Sequence, residues 1–122
     1  SACLVGSEMC IRDSSKSMGT VLAAHLEEDY GLHNVTHVML TPIDQTLPYL
    51  KTQKKIAYMV TGTADNKVNH EALRKISREH NYPLTEIVGA GHRLEIKGNV
   101  QKSIKILADI MEAIEKDRRL AV

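Results

Sequence analysis

Three short glycine-bearing fragments hold the groups in this sequence that could do chemistry together. They are Ser15-Lys16-Ser17-Met18-Gly19-Thr20, Thr61-Gly62-Thr63-Ala64-Asp65 and Gly89-Ala90-Gly91-His92. Each sits beside an apolar run, and together they offer a hydroxyl, a carboxylate and an imidazole, in the order Ser17, Asp65, His92. A serine hydroxyl is a poor nucleophile until a base takes its proton, and an imidazole base needs an acid to orient it. These three residue types are therefore the set that acyl transfer through a serine requires. Each has a plainer reading as well. Ser17 can cap a helix, Asp65 can be a turn or cap residue, and Asp44 is a rival for the acid. His92 follows Gly-Ala-Gly at a strand end, where an imidazole has little packing purpose. His25, His33, His37, His70 and His80 read as surface or capping groups. None has metal-ligand spacing, so neither a metal nor a cofactor is expected. Glu95 reads as a loop residue with no assigned role.

The elements that must position these groups follow from periodicity. Met18, Leu22, Leu26 and Tyr30, with Val21 beside them, give an apolar stripe on a helix over 18–30, stopped by Gly31. Val35 to Leu40 reads as a strand ended by Pro42, and Asp44 to Leu50 as a short irregular or helical connection. Ile56 to Thr61 is nearly continuously apolar, as suits a strand buried on both faces of a parallel sheet. Asn69 caps a helix running to about His80, with Ala72, Leu73 and Ile76 inward, broken at Tyr82-Pro83. Thr85 to Val88 reads as a strand. Asn99 caps a last helix whose core stripe is Val100, Ile104, Leu107, Met111 and Ile114. Helices alternating with strands argue for an α/β fold: a parallel sheet of about three natural strands flanked by helices. In such sheets ligands bind beyond the carboxyl ends of the strands. Asp65 and His92 each follow a strand, and Ser17 precedes a helix. All three are thus expected on one edge of the sheet.

The first fourteen residues stand apart. Leu4 to Ser14 resembles the translation of a transposase adapter used to prepare sequencing libraries, so residues 1–14 are read as a non-native segment, outside the reasoning on fold. Its apolar Leu4, Val5, Met9 and Ile11 suit a surrogate strand beside the sheet. Both cysteines, Cys3 and Cys10, fall within it, so no disulfide framework is expected. Residues 15–122 carry 15 basic and 13 acidic side chains, with no long basic run. This balance gives no reason to expect a nucleic-acid partner. No stretch approaches the roughly 18 consecutive apolar residues of a membrane span, and a cytoplasmic location is expected.

Ser-Lys-Ser-Met-Gly-Thr resembles the nucleophile elbow of the α/β-hydrolase superfamily. Gly-Thr-Ala-Asp and Gly-Ala-Gly-His-Arg-Leu-Glu resemble its acid and histidine loops. The resemblance covers essentially all of residues 15–122, and small cap-less bacterial members are the most similar. The elbow departs from G-x-S-x-G, because Ser15 stands where the first glycine falls. The resemblance implies the C-terminal half of a serine hydrolase domain, acting on an ester or related acyl bond of a small molecule. It implies Ser17 as nucleophile, His92 as general base, Asp65 as the acid and the Met18 backbone N–H as one oxyanion donor. A second donor would come from a loop after an earlier strand, so this half is expected to be inactive alone. Two other readings stay open. One is a non-catalytic binding protein on the same fold. The other is a phosphate-binding module, since Lys16-Ser17 before a helix is similar to the end of G-x-x-x-x-G-K-[ST]. Ser15 replaces a glycine of that pattern, and Cys10 stands at the other glycine position.

Overall fold

In the computed structural model, residues 2–5, 8–23 and 35–120 are described. One sheet carries β1 (Ala2–Val5), β2 (Glu8–Lys16), β3 (Val35–Leu40), β4 (Lys55–Gly62) and β5 (Leu84–Ile87), side by side in chain order. Strands β2 to β5 are parallel, while β1 runs antiparallel to β2. Beside the three strands expected after residue 14, β3, β4 and β5, the sheet carries two more, because residues 2–5 and 8–16 take the surrogate-strand place their apolar residues suited. The parallel ladder from Ile11 to Lys16 along β3 leads directly into Ser17. The helices are α1 (residues 18–23), α2 (Leu47–Leu50, after a 3-10 turn at Asp44–Thr46), α3 (His70–His80) and α4 (Val100–Leu120).

Pairing across parallel strands puts Met39 of β3 beside Met59 of β4, and Leu40 beside Val60, on alternate faces of the sheet. The first face carries the main core. Met39, Met59, Leu47, Leu50, Leu73 and Ile76 meet there with Val68 and Tyr82, under α2 and α3. Burying each such side chain contributes about 1.5–3 kcal/mol before chain entropy is counted. On the second face Val60, Leu94 and Ile110 pack with Leu40, Tyr58, Ile87, Ile106 and Ile114, beneath α4. Only the second half of β4 is buried; Ile56, Ala57 and Tyr58 are half-exposed.

The caps follow side-chain chemistry. Asn69 Oδ1 accepts the Ala72 N–H at 3.1 Å, and Asn81 closes α3 in the left-handed region at φ 57°. Asn99 Oδ1 accepts the Lys102 N–H at 2.9 Å at the start of α4. Arg74 pairs with Glu86 at 2.8 Å, tying α3 to β5, and the bond to that carboxylate raises the guanidinium above its ordinary value.

Two helical stripes differ from expectation. On α4, Val100, Ile104, Leu107 and Met111 face solvent, and only Ile114 of that set packs inward. The sheet instead takes the neighbouring row Ile106, Ile110 and Ile114, spaced by four. Both rows are apolar, and a helix lying on one sheet face can cover only one of them. On α1, Met18 and Leu22 are exposed while Thr20 is buried and Val21 half-buried. The expected continuation through Leu26 and Tyr30 to Gly31 lies outside the described residues. Strand β5 ends at Ile87, and Val88 turns into solvent.

Candidate active site

Ser17, Asp65 and His92 lie just beyond the carboxyl ends of β2, β4 and the short β5, on one edge of the sheet. Ser17 sits between the last residue of β2 and the first turn of α1. Its φ of 56° is left-handed, which a residue with a Cβ adopts only under constraint. The constraint is visible: Ser17 N–H donates to Leu40 O at 3.0 Å, and Ser17 O accepts both the Thr20 N–H and the Thr20 hydroxyl. Ser15, standing in for a glycine, fits this turn. A Cβ placed on Gly19 would lie 3.7 Å from Ser15 Cβ, an ordinary contact.

A chain of hydroxyls extends the constraint to the next strand's loop. Thr20 Oγ1 gives its proton to Ser17 O at 2.6 Å, so at its 2.6 Å contact with Thr46 it can only accept. Thr46 Oγ1 in turn accepts the Ile43 N–H at 3.2 Å. Thr20 and Thr46 are both fully buried. Thr41 and Leu94 also hold positive φ, at 48° and 57°, so strained backbone gathers around this edge.

The acid and histidine loops are stitched together. Thr63 N–H donates to Ile87 O, Ala64 N–H to Ala90 O at 2.9 Å, and Gly89 N–H to Thr63 Oγ1 at 2.8 Å. Gly62 permits this approach, since a Cβ there would overlap the Ala90 carbonyl. Asp65 Oδ2 lies 2.8 Å from His92 Nδ1, and its Oδ1 accepts the Lys67 N–H at 2.8 Å. The Asp65 side chain is fully buried, whereas that of His92 keeps about a quarter of its exposure. A carboxylate only accepts, so His92 Nδ1 carries a proton, and in the neutral ring Nε2 is then the nitrogen that can accept. Ser17 Oγ lies 2.6 Å from that Nε2. In that form the Ser17 hydroxyl can donate to a ring whose far side is held by Asp65.

The structure brings the three expected residues together and leaves Asp44 apart. Asp44 Oδ1 accepts the Asn69 N–H at 2.7 Å and Asp44 N–H donates to Lys67 O at 3.0 Å, so this rival acid braces the turn that carries Asp65. Met18 opens α1, whose first N–H groups have no partners within the helix. An open cleft of about 420 Å³ lies at this edge, lined by Ser17, Met18, Asp44, Gln45, Lys67 and His92 among others. Lys16 ends β2 in solvent, and the Ser17 hydroxyl is engaged by His92 rather than left to a phosphate cradle.

Two histidines differ from their expected surface or capping roles. His37 is buried within β3. His70, on the first residue of α3, is half-buried and bonds the Asp65 carbonyl at 2.7 Å. His80 stacks on Tyr82 with ring centroids 5.2 Å apart. His25 and His33 lie outside the residues whose side chains are described. His70 was not legible as a site residue because its partner is a backbone oxygen; its place five residues after Asp65, at a helix start, was the only signal.

The α/β sheet that carries this edge is similar in fold to solved structures. Two such structures are of a thermophilic esterase from the Planctomycetes species Thermogutta terrifontis. The propionate-bound form is 18% identical with a TM-score of 0.50, and the butyrate-bound form is 16% identical with a TM-score of 0.51. In both cases the match covers 85% of this chain and 56% of the esterase chain, so this chain spans little more than half of that protein's length. No family model matches the sequence, and no curated protein matches it. No described helix is long and apolar enough to cross a membrane.

Proposed function

We propose that this protein is a serine hydrolase of ester or related acyl bonds. The observation that carries the reading is the continuous line of contacts from Ser17 Oγ through the His92 ring to Asp65, beside an open cleft. On this reading His92 Nε2 takes the Ser17 proton as Oγ attacks the acyl carbon. Asp65 holds the imidazole in its Nδ1–H tautomer and stabilises the imidazolium that forms. The Met18 N–H, at the start of α1, meets the developing oxyanion. His92 then returns its proton to the leaving group. The resulting acyl-enzyme is cleaved by a water that His92 activates.

The likeness to an esterase whose structures are propionate-bound and butyrate-bound supports short acyl esters as the first substrates to test. The partial coverage of that esterase supports reading the chain as part of a larger domain, and the resemblance of the elbow and of the acid and histidine loops makes residues 15–122 its C-terminal half. The second oxyanion donor and much of the acyl pocket then come from sequence preceding this segment, and the 122-residue chain alone turns over little or no ester. The test is labelling of the complete parent protein with a fluorophosphonate probe, alongside hydrolysis of p-nitrophenyl butyrate. Labelling that disappears in Ser17→Ala supports the reading. A parent that takes no label, or takes it equally in Ser17→Ala, refutes it.

A further inference from the structure

Asp65 is held by more than its contact with His92. Its N–H donates to Gly62 O at 3.0 Å, its Oδ1 accepts from Lys67, and its own carbonyl faces His70 Nε2 at 2.7 Å. A peptide oxygen can only accept, so His70 Nε2 must be the protonated nitrogen. The other ring nitrogen, Nδ1, is buried and has no hydrogen-bond partner among the described residues. His70 is therefore committed to a single donor bond, and that bond ends on the acid's own peptide unit. The ring is carried by the first residue of α3, whose Leu73 and Ile76 are anchored in the main core.

We propose that His70 is a positioning residue for Asp65: a neutral imidazole, fixed as the Nε2–H tautomer, that locks the peptide plane from which the carboxylate reaches His92. The bond couples the rigid frame of α3 to the orientation of Asp65 Oδ2. With His70 in place, the acid turn is pinned at its N–H, its carbonyl and one carboxylate oxygen. The remaining carboxylate oxygen is then directed at His92 Nδ1. Without His70, the peptide following Asp65 can rotate and the Oδ2 contact of 2.8 Å loosens. His70 does not line the cleft and its hydrogen bond ends on Asp65, so its route to the reacting groups runs through the acid.

The inference rests on the reading of Ser17, His92 and Asp65 as a working set, yet its test is independent of turnover. Imidazole nitrogen NMR is recorded on the 122-residue chain as wild type, His70→Ala and His70→Gln. The wild type is expected to show His70 with a protonated Nε2 and a bare Nδ1, and a hydrogen-bonded proton on His92 Nδ1. His70→Gln, whose side-chain amide can donate from the same place, keeps the His92 proton. His70→Ala loses or shifts it, and in the parent protein lowers the rate of Ser17 labelling roughly tenfold, the worth of one well-placed hydrogen bond. A wild-type His70 protonated on Nδ1, alone or on both nitrogens, overturns the proposal, as does a His92 proton unmoved in His70→Ala. If His70→Ala loses the amide spectrum of the sheet, the wild-type tautomer and the His70→Gln spectrum decide between the same outcomes. A parent protein that takes no fluorophosphonate while His70 holds the stated tautomer refutes the hydrolase reading and leaves this one standing.

Discussion

Substituting Gly62 by alanine tests how far the site depends on the approach of its two loops. An alanine Cβ at this position would overlap the Ala90 carbonyl oxygen and lie 2.6 Å from its carbon and 2.9 Å from Gly91 O. All three atoms are backbone, so no side chain can swing aside. Restoring ordinary contact at about 3.5 Å to all three atoms moves the histidine loop by about 1.4 Å. That loop carries His92 two residues beyond Ala90. A displacement of this size stretches the 2.6 Å contact to Ser17 and the 2.8 Å contact to Asp65 past hydrogen-bonding range. It also strains the Ala64 N–H bond to Ala90 O. The expected stability cost is about 1–3 kcal/mol from overpacking, and about 1 kcal/mol more from that bond. The labelling rate of Ser17 in the parent protein is expected to fall about 100-fold. Gly91→Ala is the control, because nothing lies within 4 Å of its added Cβ. Urea melts and timed fluorophosphonate labelling of both variants give the answer. A Gly62→Ala protein with the wild-type labelling rate and midpoint would refute the claim that this close approach sets the geometry.

Other substitutions probe separate links. Ser17→Gly should be more stable than Ser17→Ala by about 0.5–1 kcal/mol, because only glycine relieves the left-handed backbone; equal midpoints would argue against strain at Ser17. Thr46→Val removes the proton that Thr20 accepts, and should cost about 1–3 kcal/mol in a urea titration. Leu73→Ala empties a fully buried position of the main core and should cost about 2–5 kcal/mol by the same measurement. On α4, Ile110→Ala should cost about 2–4 kcal/mol while Ile104→Lys stays within about 0.5 kcal/mol of wild type, and the reverse order would restore the stripe read from the sequence.

Much of the site was legible because its signals are local. Strand β3 spans the residues its β-branched run suggested, and Asn69 and Asn99 mark helix starts through their own side chains. The three chemical groups stood out because each follows or precedes an element that must end at the same sheet edge. What escaped has physical reasons. The residues of α4 form two apolar rows, and nothing in their spacing says which one the sheet takes. The brace at Asp44, the hydroxyl chain through Thr46 and the bond from His70 all end on backbone atoms or on residues far apart in sequence. A pattern of side-chain types carries no record of where a distant peptide oxygen will stand. Residues 8–14, set aside as non-native, nonetheless form most of the strand that delivers Ser17, because a parallel ladder is made by backbone groups that every sequence without proline supplies.

The order of strands across the sheet repeats their order along the chain. Each parallel pairing therefore closes a modest loop, whereas the Ser17–His92 contact joins residues 75 apart. Closing a longer loop costs more entropy, and nonlocal contacts form more slowly. A refolding molecule is consequently expected to recover its circular dichroism first and the Ser17–His92 contact last, an order that stopped-flow mixing can check.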